Sequence, residues 1–91
     1  MVEITWDDWK AADNPKKHDG VTFNDGQTIF FDPLVRYFDD PHSDGNRMIA
    51  IGFSDNEQLL IVSFVDYPSR HHMLSARRLT PKEKKDYEEG I

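Results

Sequence analysis

The sequence predicts an α+β fold: one antiparallel β-sheet with two N-terminal helices and one C-terminal helix. Three observations lead there. Residues 47–76 hold three apolar runs joined by the short turns Ser54-Asp55-Asn56-Glu57 and Asp66-Tyr67-Pro68-Ser69, the mark of antiparallel neighbours. Helical stretches precede these runs, each opened by a capping residue. After them, Thr80-Pro81-Lys82-Glu83 is a full capping box with proline at the first helical position. Ninety-one residues make a single domain, 1–91, with a modest core.

In chain order, Val2 to Thr5 reads as a short edge strand. Asp7 or Asp8 then opens a helix with Trp6, Trp9 and Ala12 near one face. Pro15 interrupts it; Asn14 is a good cap and Pro15 a good first residue, so a second short turn restarts there. Asp19-Gly20 ends it. Asn24 can cap a second helix with Gln27 at the capping-box position. Ile29, Phe30 and Phe31 supply its apolar side, and Asp32-Pro33 stops it. Leu34 to Phe38 reads as a strand and Asp39 to Asn46 as a polar loop. Arg47 to Phe53, Leu59 to Val65 and Arg70 to Ala76 are the later strands. The middle one is almost continuously apolar, as a central strand covered on both faces would be. The capping box opens the last helix, which runs to about Glu89.

Charge is sorted along the chain. The formal net charge is −6. Residues Met1 to Asp66 carry five basic and thirteen acidic groups, whereas Arg70 to Lys85 carry six basic groups against one acid, Glu83. The overall sign opposes tight nonspecific binding to nucleic acid. The basic stretch suits a polyanion or an acidic partner. The chain has no cysteine, which removes disulfides and thiolate-metal sites and fits a reducing compartment. No segment approaches the roughly 20 apolar residues of a membrane span. The N-terminus lacks a basic region followed by an apolar one, so a cytoplasmic protein is expected.

Several residues carry a wider pattern. The front reads Trp6-Asp7-x-x-Lys10-x-x-x-Asn14-x-x-Lys17-His18, then Gly20 and Phe23. The middle holds Phe31-Asp32-Pro33, then His42, Arg47 and Gly52. The end holds Ser75-Ala76-Arg77-Arg78-x-Thr80, then Glu83 and Tyr87. In this order and spacing the chain resembles, nearly end to end, the BrnT toxins of bacterial type II toxin–antitoxin systems, whose fold is similar to that of the RelE ribonucleases. Three positions depart from the family pattern. Asp19 is an insertion between His18 and Gly20. The loop Ser43-Asp44-Gly45-Asn46 lacks the Glu usual before the residue matching Arg47. His72 stands where the last strand usually carries Arg.

The resemblance implies an endoribonuclease that works without a metal or other cofactor, inhibits translation, and is neutralised by an antitoxin. The family's antitoxin, BrnA, resembles a ribbon-helix-helix protein. Operator DNA would be bound only through it, in a heterotetramer built on an antitoxin dimer, with RNA as the toxin's substrate. The chemistry makes the ribose 2′-OH attack the adjacent phosphate. It needs a base near the 2′-OH, an acid near the leaving 5′-oxygen, and cations for the charge on phosphorus oxygens. Arg77, Arg47 and Arg70 are the electrostatic candidates, because guanidinium binds two phosphate oxygens and stays charged. Lys17 is a further cation. His18 and His72 are the acid/base candidates. Glu83 is either a base or the group that orients Arg77.

Plainer readings stand beside several of these. Glu83 occupies N3 of a capping box. Arg77 and Arg78 are adjacent in an extended segment and face opposite ways, with Arg77 favoured for the site. His18 follows a helix and can bond a terminal carbonyl. Strict alternation puts His71, not His72, on the face of Arg77, unless a bulge intervenes. Trp6 and Trp9 offer faces on which bases could stack, but core packing is the plainer reading, as it is for the pair Phe30/Phe31. His42 reads as a solvated loop residue. The four histidines have no metal-ligand spacing. The alternative function is a catalytically weakened binding module that keeps antitoxin binding and co-regulation.

Overall fold

The computed structural model describes residues 2–42 and 45–90. The elements are β1 (Glu3–Trp6), α1 (Asp8–Lys17), α2 (Phe23–Thr28) with a 3₁₀ turn over Ile29–Phe31, β2 (Arg36–Asp39), β3 (Arg47–Phe53), β4 (Leu59–Tyr67), β5 (Arg70–Arg78) and α3 (Pro81–Glu88). The five strands form one sheet in the order β1-β5-β4-β3-β2. β2 to β5 pair antiparallel, as the short turns require. The sheet is nevertheless mixed, because β1 lies parallel to β5 and pairs Glu3 with Arg70 and Trp6 with Met73. Two helices and three strands separate β1 from β5, and a connection that long permits a parallel neighbour.

One sheet face carries the core. Ala50, Leu60, Val62, Phe64, Met73 and Ala76 point into it and meet Val21, Phe23 and Ile29 from the helical layer. Trp6 stacks edge-on against Phe23 with ring centroids 5.8 Å apart. Gly26 lets α2 settle on β5: a Cβ there would lie 2.9 Å from Ala76 Cβ and Met73 Cε.

Four local expectations are corrected. First, α1 runs through Pro15 without a restart. Asn14 cannot cap there, because its side chain is committed elsewhere. Its amide donates to Ala76 O at 2.7 Å and Val21 O at 2.8 Å, and its Oδ1 accepts from Ala76 N at 3.2 Å. β1 has ended at that level, so Asn14 supplies the partner that the open edge of β5 lacks.

Second, α1 turns Ala11 and Asn14 inward, so Trp9 is 67% exposed and Ala12 is exposed too. Third, α2 is capped by Thr22 rather than Asn24; Thr22 Oγ1 accepts from Asp25 N at 3.0 Å. Fourth, Phe31 is exposed while Ile29 is fully buried. Successive side chains of a 3₁₀ turn splay about 120° apart, so three in a row cannot share one core. The loop after β2 leaves His42 exposed, and Ser43 and Asp44 of that predicted loop lie outside the described residues.

Candidate nucleic-acid interface

The second sheet face carries the candidates Arg77, His72 and Arg47. Cross-strand partners share a face. One row across it is Arg77, Ile61, Ile51 and Arg36. The next is Ser75, Ser63, Ile49 and Phe38, with the two serine hydroxyls 2.8 Å apart. The third is Thr5, His72, Val65 and Arg47. The floor is therefore polar along β5, while Ile61, Ile51, Ile49 and Phe38 make an apolar patch across β4, β3 and β2. α3 crosses the apolar end. Its C-terminal turn is held by Arg36, which donates to Tyr87 O at 3.1 Å and lies 4.3 Å over the Tyr87 ring.

A bulge decides which histidine joins this face. Ser63 pairs with Ser75 but Phe64 pairs with Met73, leaving Leu74 as the extra residue. Alternation is reset there, and His72 lands on the face of Arg77. His71 turns to the core face, where its ring lies 4.5 Å from that of Phe64 and 5.1 Å from that of Phe30. Its Nδ1 is 3.2 Å from Asp66 Oδ1 but lacks hydrogen-bond geometry. Asp66 and burial both act on the neighbouring Tyr37: burial, then the carboxylate charge, push its hydroxyl above the ordinary value.

Arg77 and Arg78 take opposite sides, as alternation requires. Arg78 donates to Asp19 O at 3.0 Å and steadies Asp19, whose φ is 60°. Arg77 donates from Nη1 and Nη2 to the two oxygens of Glu83, at 2.8 and 3.0 Å, and from Nη1 to Arg78 O at 3.1 Å. Nε–H and one Nη2 hydrogen stay unspent among these contacts. Glu83 also completes the capping box, accepting from Thr80 N at 2.8 Å. The Arg77 hydrogen bonds, helped by those from Thr80 and opposed by burial, hold the Glu83 carboxyl down at about 2. The same pairing raises the Arg77 pKa further above its ordinary value.

Six of the seven candidates fall into two groups, and Arg70 stands apart. One group is built around the end of β5: Arg77 pairs with Glu83, and His18, at the end of α1, follows Lys17 in the chain. His18 and Arg77 line one groove there, with Thr80 and Arg78. His18 also closes α1, its N–H bonding Asn14 O at 2.9 Å. Lys17 is held by Asp13 at 3.0 Å. His72 and Arg47 form the second group. Their row is four β4 positions from that of Arg77, roughly 13 Å along the strand. They stand two strands apart, roughly 9–10 Å. Arg70 lies further out, stacked 4.4 Å over Tyr67.

Sequence reasoning missed the partners of His72. Its Nδ1 is 2.8 Å from Thr5 Oγ1 and its Nε2 is 3.6 Å from Asp7 Oδ1. No local signal places Thr5 opposite His72, since a parallel pairing across the whole chain does so. Among the described residues no three His, Cys, Asp or Glu side chains converge as a metal site, and no helix is long and apolar enough to cross a membrane.

An α+β protein with one sheet face filled by core and the other carrying Arg77, His72 and Arg47 beside α3 is the class this geometry defines. Residues 6–83 match the family model described as ribonuclease toxin, BrnT, of type II toxin–antitoxin system, and the chain belongs to that family. Among solved structures, the crystal structure of the ribonuclease toxin BrnT from Brucella abortus matches with a TM-score of 0.67 and 23% identity. It covers 88% of this chain and 99% of that one, a likeness of fold. No curated protein matches the chain.

Proposed function

We propose that this chain is an endoribonuclease that cleaves RNA without a metal, arrests translation in the cytoplasm, and is neutralised by a BrnA-like ribbon-helix-helix antitoxin. Operator DNA is then contacted only through the antitoxin, in a heterotetramer on an antitoxin dimer. The observation that carries the reading is the fixed fork of Arg77 beside His18, on a chain of the BrnT family.

In this reading the scissile phosphate sits against the unspent Nε–H and Nη2–H of Arg77. A base removes the 2′-OH proton, the 2′-oxygen bonds to phosphorus, and the P–O5′ bond breaks. An acid returns a proton to the 5′-oxygen, leaving a 2′,3′-cyclic phosphate and a 5′-hydroxyl. Arg77 stabilises the charge that builds on the non-bridging oxygens. His18 is the acid–base group beside Arg77, and Lys17 adds a cation next to it. A carboxyl held at about 2 is a feeble base near neutral pH, so Glu83 orients Arg77 instead. His72 and Arg47 bind a flanking phosphate.

The separation of His72 and Arg47 from Arg77 also favours a second reading. A weakened module would keep antitoxin binding and lose turnover. Purified protein incubated with RNA in EDTA separates the two. Cyclic-phosphate products that vanish with Arg77→Ala support the ribonuclease; no cleavage by the wild type, or equal cleavage by the variant, rejects it.

A further inference from the structure

A groove of about 250 Å³ between α1 and the outer edge of β5 shares Lys17 and His18 with the chemistry above, but its far end at Trp9 and Lys10 has no role there. Trp9, Lys10, Lys17, His18, Asp13 and Ser75 are among the residues that line it. Trp9 is 67% exposed, with the Lys10 ammonium 5.6 Å from its ring centroid. A large indole left in water beside cations is unusual for a residue that core packing would ordinarily claim.

We propose that Trp9 is a base-stacking platform and that this groove is a subsite for single-stranded RNA, leading away from the bond held at Arg77 and His18. The proposal rests on the ribonuclease reading for its substrate and adds a place that reading does not assign.

Three observations support it. The first is charge: Lys10 and Lys17 face one acid, Asp13, in a protein of net charge −6. Asp13 is paired with Lys17 at 3.0 Å on an exposed helix surface, where such a pair is held weakly and Lys17 can turn to a phosphate. The second is continuity: His18 lines both this groove and the one that contains Arg77. The third is reach. Trp9 and His18 lie nine residues apart along α1, roughly 13 Å, so the groove spans more than one nucleotide. Stacking on an aromatic face flanked by backbone-tracking cations is the usual grip on single strands, and it tolerates any base.

The test uses a fluorescein-labelled single-stranded oligoribonucleotide that is 2′-O-methylated throughout, which the reaction cannot cleave. Binding is read by anisotropy. Trp9→Ala is expected to weaken binding roughly 5- to 100-fold, the range of one lost base stack, and Trp9→Phe to restore most of it. An abasic position scanned along the oligonucleotide should weaken the wild type at one site and leave Trp9→Ala indifferent there. Trp9→Ala with unchanged melting temperature and unchanged affinity overturns the subsite. So does Trp9→Leu binding as well as Trp9→Phe, or no binding by the wild type. Arg77→Ala separates the two ideas: cleavage lost with Arg77→Ala but affinity unmoved by Trp9→Ala rejects the subsite alone. A Trp9-dependent affinity in a protein that cleaves nothing rejects the ribonuclease reading alone.

Discussion

Arg77 and Glu83 form a two-toothed ion pair, with Nη1 and Nη2 at 2.8 and 3.0 Å from the two carboxylate oxygens. The same carboxylate closes the capping box of α3 through Thr80 N. One side chain thus locks the end of β5 to the start of α3 and sets the direction of the guanidinium. Helix capping and site geometry were competing readings of Glu83; a carboxylate with two oxygens serves both at once.

That arrangement makes Glu83 a positioning residue. Glu83→Gln keeps an acceptor for Thr80 but loses the charge and one tooth of the fork. Cleavage is expected to fall roughly 10-fold in kcat with little change in KM, while Arg77→Ala costs roughly 100- to 1,000-fold. Arg77→Lys should resemble Arg77→Ala more than the wild type, since an ammonium cannot make the paired contact. Steady-state cleavage of a short RNA measures all three. A Glu83→Gln loss as deep as that of Arg77→Ala would instead make Glu83 a direct participant.

Stability should depend on acid through this pair. The Glu83 carboxyl lies near 2 in the folded protein, below its ordinary 4.5. Between those values the unfolded chain binds the proton more readily, so the pair's contribution is whole above about pH 4.5 and fades as pH drops towards 2. Melting curves of the wild type and Glu83→Gln should differ by a constant amount from neutral pH to about 4.5, then converge. A gap that widens on acidification would contradict the pairing.

Much of this fold is legible in the sequence, and the gaps have specific causes. β3, β4 and β5 and the capped α3 are set by local signals: apolar runs, turn residues, a capping box. The parallel docking of β1 is a long-range event with no local trace. Trp9 and Asn14 were misread for one reason. Periodicity assigns an apolar residue to the inner face, but here the inner face of α1 needs an amide to serve Ala76. A polar stripe of Lys10, Asn14 and Lys17 at helical spacing was the available clue. The site was half legible: Arg77 against Arg78 followed from alternation, whereas the choice of histidine hung on a bulge at Leu74 that composition does not announce.

The bulge separates two neighbours into different tasks. His71→Ala removes ring contacts with Phe30, Tyr37 and Phe64 on the core side. It should lower stability by about 1–3 kcal/mol and leave cleavage nearly intact at low temperature. His72→Ala loses a partly buried hydrogen bond with Thr5 and the longer contact with Asp7, and should leave the melting temperature within a few degrees, while RNA affinity drops. Thermal melts beside binding isotherms read both. Equal effects of the two substitutions would mean that Leu74 does not reset the alternation.

Asn14 offers the sharpest structural test. It is 4% exposed and makes three hydrogen bonds, two of them to the backbone of Ala76. Asn14→Ala leaves the Ala76 N–H and C=O and the Val21 C=O without that partner in a dry place, at a cost of about 2–4 kcal/mol. For a domain of this size that is a fall of roughly 10–25 °C in melting temperature. Asn14→Asp should be comparably harmful, because a carboxylate accepts from Ala76 N but cannot donate to either carbonyl. The damage should extend to function, since Ala76 lies between Ser75 and Arg77 on the site strand. Hydrogen exchange at the Ala76 amide would report it directly: fast exchange in Asn14→Ala, slow in the wild type. If that amide stays protected in the variant, another group holds the edge of β5 and the account given to Asn14 is wrong.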